Sequence, residues 1–385
     1  YGLAAKAAGK PQQAVFAFER VVANQPGNAR ARLELAEALF QFGNRREARR
    51  LFDEVLATTP PEPVQQRIRS YQQAMESADK AQKTSVTGFV TLAGGHDSNI
   101  SSTTDVATHD YLLVPITLQP QSLEADAGFV ELRAGLNVVQ PVNQRTLRFL
   151  TLNAQRRDNE RLLSGNNFDY TTLGASGGWL LRRGAATWRI PLNVQALWAE
   201  SPGAVNDDRY VFSAGIEYNR PLTSRTAVTW FGQGGNMHYP SEENRNAWMA
   251  VVGGGYTWNS AQQPLRVMTT LHLGTEPTEE SGQAAEMNGR DYAALRANLR
   301  RSLSSTQSLY GAVGVQYSEY HDEIALSTWG VRKELLADVS LGWQLQLDRS
   351  WSVNLDLAHA VNASRGNELF DYDRTQVKLG STWRF

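Results

Sequence analysis

From about Thr84 to the end of the chain, apolar and polar residues alternate with a period of two, in segments of about ten residues or more separated by turn residues. In one of them Trp188, Ile190, Leu192, Val194, Ala196 and Trp198 alternate with residues that include Arg189, Asn193 and Gln195, so one face suits lipid and the other suits water. The rhythm returns in Gly128, Val130, Leu132, Ala134, Leu136, Val138, in Leu335, Ala337, Val339, Leu341, Trp343 and in Trp351, Val353, Leu355, Leu357. Trp188 and Trp198 are spaced as two aromatic girdles of an outer membrane would be, given a rise of about 3.3 Å per residue along a tilted strand. Strands of a soluble sandwich typically run about five or six residues, so length favours a membrane barrel.

About fourteen such segments are expected, centred near residues 90, 132, 151, 174, 192, 213, 231, 250, 269, 295, 312, 338, 355 and 377. Short turns near Pro141, Arg183, Pro221, Ala261, Ser304 and Asp348 interleave with longer loops, of which the first runs from about 100 to 123. Short turns belong to the periplasm and long loops to the outside, and an even count puts both barrel ends on the periplasmic side. The third segment is ambiguous, because either face of Arg145 to Arg156 could point outward.

The front of the chain has a different period. Gly9 recurs as Gly43, Ala14 as Ala48, Phe18 as Phe52, Val21 as Val55 and Pro26 as Pro60, all at a spacing of 34, with Gly2 matched by Ala36. That is the tetratricopeptide period: small residues let two helices approach, the aromatic fills their seam and the proline ends the second helix. Val64, Ile68, Tyr71 and Met75, at helical spacing between Glu62 and about Lys80, predict a capping helix. The fold class expected is therefore α plus membrane β: a short tetratricopeptide solenoid over 1–82 in the periplasm, then an antiparallel transmembrane barrel over 83–385. The chain opens at Tyr1, inside the first helix of a repeat, so a removed signal peptide and further upstream repeats are expected.

Composition narrows the function. The net charge is -1 with acids and bases evenly mixed, which argues against nucleic acid as a partner. No stretch reaches the roughly 18 apolar residues a membrane helix needs. The mean hydropathy of -0.42 suits a barrel with a wet interior. There is no cysteine, and His96, His109, His238, His272, His321 and His359 are scattered without metal-ligand spacing, so no metal and no cofactor are expected. The acid pairs Asp207/Asp208, Glu242/Glu243 and Glu279/Glu280 read as solvated loop charges, and no G-x-S-x-G elbow is present, so the chain is read as a non-enzyme.

Candidate binding residues follow from the two periods. Arg30, Leu33, Glu37, Phe40 and Gln41 fall on the concave face of the repeats, where such arrays take a peptide; packing against a neighbouring helix is the alternative at equal odds. Glu131, Arg133, Asn137, Arg296, Arg300 and Asp356 alternate with apolar positions and are expected to line the lumen. The final run from Lys378 through Gly380 and Trp383 to Phe385 resembles the C-terminal signal by which outer-membrane barrels are recognised for insertion, which implies the barrel-assembly machinery as a partner.

Gly95, His96, Asp97, Ser98 and Asn99 close the first segment; on their own they read as a capped turn. Together with the repeats, the strand count and Phe385, they resemble the surface lipoprotein assembly modulators (Slam, type XI secretion), whose run is a glycine, an aromatic and Asp-Ser-Asn; His96 stands where the aromatic is usual. The resemblance covers essentially the whole chain. It implies a monomeric outer-membrane translocator that moves lipoproteins or related proteins from periplasm to cell surface, the repeats engaging cargo. About fourteen strands give a modest lumen, so cargo is expected to pass unfolded, or through a seam opened between residues 85–95 and 374–385. The alternatives are an exopolysaccharide export porin and a passive porin or anchor.

Overall fold

In the computed structural model, residues 1–80, 83–111, 114–117, 123–160, 168–200, 207–323, 330–365 and 368–385 are described. The chain divides into two units, Tyr1–Lys83 and Thr84–Phe385.

The first unit is helical: α1 (Gly2–Ala7), α2 (Pro11–Asn24), α3 (Ala29–Phe42), α4 (Arg45–Leu56) and α5 (Glu62–Lys80). Its punctuation is local. Gly43 ends α3 in the left-handed conformation, at φ 98°, where a residue with a Cβ would be strained. Asn28 and Asn44 cap α3 and α4 by accepting hydrogen bonds from the backbone N–H of Ala31 and Glu47. The repeat positions meet as their residue types require: a Cβ on Gly2 would come within 2.8 Å of the Phe18 ring. Phe52 is fully buried and stacks on Tyr71 with ring centroids 5.3 Å apart. From α5, Ile68 and Met75 are fully buried in the same core. That helix therefore covers apolar surface which the second repeat would otherwise expose.

The second unit is a closed antiparallel barrel. Its strands are β1 (Ser85–Asp97), β4 (Ala127–Pro141), β5 (Thr146–Asn159), β6 (Tyr170–Arg183), β7 (Ala186–Ala199), β8 (Arg209–Pro221), β9 (Thr226–His238), β10 (Ala247–Asn259), β11 (Leu265–Glu276), β12 (Arg290–Ser302), β13 (Gln307–Glu323), β14 (Val331–Gln346), β15 (Trp351–Arg365) and β16 (Tyr372–Arg384). Consecutive strands are neighbours and β16 pairs back with β1, which closes a fourteen-stranded ring. The hairpin β2 (Thr108–Tyr111) and β3 (Val114–Thr117) lies within the first long loop, of which residues 112–113 and 118–122 are outside the described residues.

Every expected segment is a strand of the barrel, and the expected short turns all join neighbouring strands. Ser85 opens β1 at the short-turn rim, and β16 ends at the same rim. The outward face carries Val90, Leu132, Leu192, Trp230, Leu273, Leu341 and Leu379, all exposed in the isolated chain. Such a band is stable only against lipid. The ambiguous third segment resolves as β5 with Leu150 and Leu152 outward. Phe149 turns inward and the Arg189 guanidinium stacks on it at 4.4 Å.

Candidate functional site

The Gly95–Asn99 run ends β1 where β1 meets β16, and Asp97 is the centre of what it builds. Its side chain is 0% exposed and carries a negative charge into the barrel wall, which requires partners. Arg157 on β5, itself 4% exposed, donates to Asp97 at 2.6 Å. Arg374 on β16 donates through Nε at 2.9 Å and through Nη2 at 2.6 Å, and Gln376 Nε2 adds a bond at 2.6 Å. Asn99 donates its backbone N–H to the same carboxylate, and its side-chain amide donates to the carbonyls of Thr103 and Asp373. Ser98 exchanges bonds with Thr375, its N–H donating to the Thr375 carbonyl and its Oγ accepting from the Thr375 N–H. Arg374 also reaches Ser102 Oγ at 2.9 Å. The motif is therefore a knot that ties β1 and the loop after it to β16 and β5.

Gly95 is required by the same packing. A Cβ there would come within 2.2 Å of the Val377 carbonyl oxygen and 2.7 Å of the Phe129 ring. The Arg157 guanidinium lies over that ring at 3.7 Å. His96 points the other way: its ring is 60% exposed, with Asp126 Oδ2 at 3.7 Å.

A second strap crosses the same seam. Ala93 and Gly95 are the small inward residues of β1, and Lys378 on β16 reaches Glu131 on β4 at 3.3 Å. Glu131 also pairs with Arg133 at 2.8 Å and accepts from Gln155 Nε2 at 3.0 Å. Nearer the short turns, Thr91 and Thr382 hydroxyls bond at 2.8 Å. The seam suggested for lateral opening is thus bridged by buried charge, and parting it would strand Asp97, Glu131 and their cations in the wall. Its ladder is shorter than that of its neighbour: β16 pairs with Phe89–Asp97, whereas β4 pairs with all of Ser85–Asp97.

The six lumen candidates all lie on the face opposite the apolar band. Besides Glu131 and Arg133, Asn137 accepts from Thr151 Oγ1 at 3.0 Å. Arg296 pairs with Asp338 at 2.9 Å, Arg300 donates to Gln344 at 2.8 Å, and Asp356 accepts from the Tyr310 hydroxyl. They form two groups, one on β16, β1, β4 and β5 and the other on β12 to β15. Their partners Gln155, Asp338 and Gln344, like Arg157 on Asp97, went unnamed in the sequence reading, although each sits at an inward position of the same period.

The repeat residues divide differently. Arg30 and Gln41 are exposed. Leu33 and Glu37 are buried, and Phe40 packs edge-on to Tyr71 at 5.3 Å. Glu37 is gripped by Lys6 at 2.6 Å and by Arg67 at 2.7 Å, and Lys6 also pairs with Glu34. Of the two expectations for this face, packing is what Leu33 and Glu37 show, with side chains of α1 and α5 reaching Glu37. Burial lowers the Lys6 pKa, but its hydrogen bonds and charge contacts with Glu34 and Glu37 outweigh that and hold it above the ordinary lysine value. Burial, then the Glu37 charge, pushes the Tyr71 hydroxyl up.

At the chain's end, Gly88 and Phe385 exchange backbone hydrogen bonds of 2.9 and 3.1 Å. The Phe385 ring fills the space a Cβ on Gly88 would need, and it lies 4.8 Å from Trp383. Gly380 sits over Ala93, where a Cβ would approach to 2.9 Å. Among the described residues, no group of three or more His, Asp or Glu side chains is placed to hold a metal ion.

The tetratricopeptide repeat family matches residues 5–70. No curated protein matches the chain. Among solved structures, a FadL homologue of Pseudomonas aeruginosa is similar over 78% of this chain and 90% of its own, at 11% identity and a TM-score of 0.40. The translocator domain of the autotransporter NalP from Neisseria meningitidis is similar over 82% of this chain and 95% of its own, at 13% identity and a TM-score of 0.33. The anion-selective porin of Comamonas acidovorans is similar over 79% of this chain and all of its own, at 11% identity and a TM-score of 0.38. These likenesses concern the fold alone.

Proposed function

We propose that the chain is an outer-membrane translocator that carries lipoproteins or related proteins from the periplasm to the cell surface. A repeat unit joined to an outer-membrane barrel fits a translocator or a porin-like role. What favours the former is the Gly95–Asn99 run: the motif that resembles the surface lipoprotein assembly modulators is also the knot holding the barrel's first and last strands. The chain enters β1 at the short-turn rim, which in bacterial barrels faces the periplasm, and this supports a periplasmic repeat unit. Cargo would meet exposed repeat positions such as Arg30 and Gln41. Fourteen strands lie between the eight that enclose only side chains and the sixteen or more that leave an open channel. A folded domain does not fit such a lumen, and the strapped seam favours passage of unfolded chain through the lumen.

The test is surface display. Cells expressing a candidate lipoprotein with and without this chain are treated with external protease. Cleavage only when the chain is present supports the reading, and cargo fused to a stably folded domain is expected to stall. Unchanged display with ion conductance in planar bilayers would indicate a passive porin instead, and loss of secreted polysaccharide on deletion would indicate polymer export.

A further inference from the structure

The outer wall opposite the seam has a different build. With fourteen strands in the ring, the β9/β10 pair stands diametrically across from β1/β16. Glycines replace side chains on its outward face at Gly232 and Gly254. Around them rise Trp188, Tyr218, Trp230 and Tyr256, leaving a groove of about 820 Å³. That is the size range of small-molecule sites, roughly 300–1,000 Å³. The Trp230 ring, 62% exposed in the isolated chain, lies beside Gly254, where a Cβ would come within 2.9 Å of it. At Gly232 a Cβ would meet nothing closer than Val252 at 3.9 Å. The ring and the missing side chains together make the groove.

Its position along the strands selects the occupant. Trp188 follows the start of β7 closely, Tyr218 and Tyr256 come just before the ends of β8 and β10, and Trp230 is near the start of β9. All four therefore lie toward the short-turn rim. The other end, at Val252 and Leu273, is about four residues further along the strands, roughly 13 Å of strand length and, at a tilt of about 40°, roughly 10 Å of depth. That fits within one half of an apolar band roughly 25 Å tall, the depth of one leaflet. Tyrosine and tryptophan rings at headgroup level present a polar tip to the interface and an apolar body to the chain below.

We propose that this groove holds one acyl chain of a bilayer glycerophospholipid from the leaflet on the short-turn side. Lipid tails are as apolar as the wall, so burial gives no hydrophobic gain; what holds the chain is contact with a concave surface that would otherwise hold a void. The proposal does not depend on the translocation reading, because its readout is lipid retention.

The test uses the full-length chain reconstituted in phosphatidylethanolamine vesicles containing phosphatidylethanolamine spin-labelled on one acyl chain. The wild type is expected to show a motionally restricted lipid population that survives as co-purified phospholipid in native mass spectrometry. Gly232→Leu, which fills the groove, is expected to lower the retained lipid about threefold, since packing between apolar partners in a bilayer is worth little more. Gly94→Leu, also outward but on β1, where a Cβ would meet only the Phe129 carbonyl oxygen at 3.6 Å, is expected to leave it unchanged. Trp230→Ala opens the wall instead of filling it and is expected to lower retention as well. Heat-modifiable migration checks that each variant is folded. Equal retention in wild type, Gly232→Leu and Trp230→Ala would overturn the proposal, as would a groove that takes only an acylated peptide and no phospholipid.

Discussion

Each unit of the molecule contains a fully buried carboxylate held by two cations, Glu37 and Asp97, and the two differ in what they hold together. Glu37 is gripped by Lys6 and Arg67, which lie 31 and 30 residues away, one repeat to either side. Asp97 is gripped by Arg157 and Arg374, which lie 60 and 277 residues away, on strands made early and last. In the helical unit the cations have side-chain exposures of 16% and 49%. In the barrel they are 4% for Arg157 and 26% for Arg374. The same chemistry thus registers neighbouring repeats in one place and closes a ring in the other. Of the four cations, Arg157 has the least water to replace a lost partner.

The largest effect should therefore come from the barrel. Asp97→Ala would leave two guanidinium groups facing each other in the wall, a change that costs about 3–5 kcal/mol when a buried pair loses one member. Denaturant titration of the barrel in vesicles, followed by tryptophan fluorescence, measures it. Asp97→Asn keeps Oδ1 as an acceptor and is expected to lose less. A cost below that of an ordinary surface substitution would mean that the knot does not close the seam.

Glu37→Ala sharpens the contrast from the other side. When their carboxylate is removed Lys6 keeps its pair with Glu34 and Arg67 can turn to solvent, so the expected cost is smaller, about 2 kcal/mol, in line with hydrogen bonds to charged groups. It would be read as helical signal lost on heating or as earlier proteolysis within residues 1–80.

The pH dependence of the helical unit is the next smaller effect. Because the Lys6 pKa is raised above its ordinary 10.5, its contribution is fully present below that value and is lost as pH rises through the higher, folded value. Tyr71 is raised above 10 and acts with the same sign. The helical unit should therefore weaken above about pH 10, and Lys6→Met should flatten that decline. Circular dichroism between pH 8 and 12 follows it; a loss that begins near neutrality would contradict the assignment.

What could be read from the sequence follows the same division between near and far. The strands are legible because a period of two is written into each segment, as in Trp188 to Trp198, with no need of its neighbours. The repeat is legible because Phe18 and Phe52 recur at a fixed distance. Segment β5 is not, since Leu147 and Phe149 on one face match Leu150 and Leu152 on the other; cross-strand packing, with Arg189 over Phe149, decides the face. Asp97 could be singled out as part of a motif, but its role could not be read, because Arg374 is almost the whole barrel away in sequence. For Glu37 the period leaves both a binding face and packing open, because it places the residue on the concave side without showing that Lys6 and Arg67 reach it from α1 and α5.

The smallest effect sets the limit of the motif's reach. His96 lies within the Gly95–Asn99 run, beside the most buried carboxylate of the barrel wall, yet successive strand residues face opposite ways. Its ring is outside, 60% exposed and 3.7 Å from Asp126, while Asp97 is inside. His96→Phe would place an aromatic ring at this outward position. It should change barrel stability by less than about 0.5 kcal/mol, the ordinary range for an exposed site. An aromatic there has lipid or loop to meet and no contact with Arg157 or Arg374. If His96→Phe shifted the unfolding midpoint as far as Asp97→Asn does, the alternation through the motif would be wrong, and the knot would have to be rebuilt with His96 inside it.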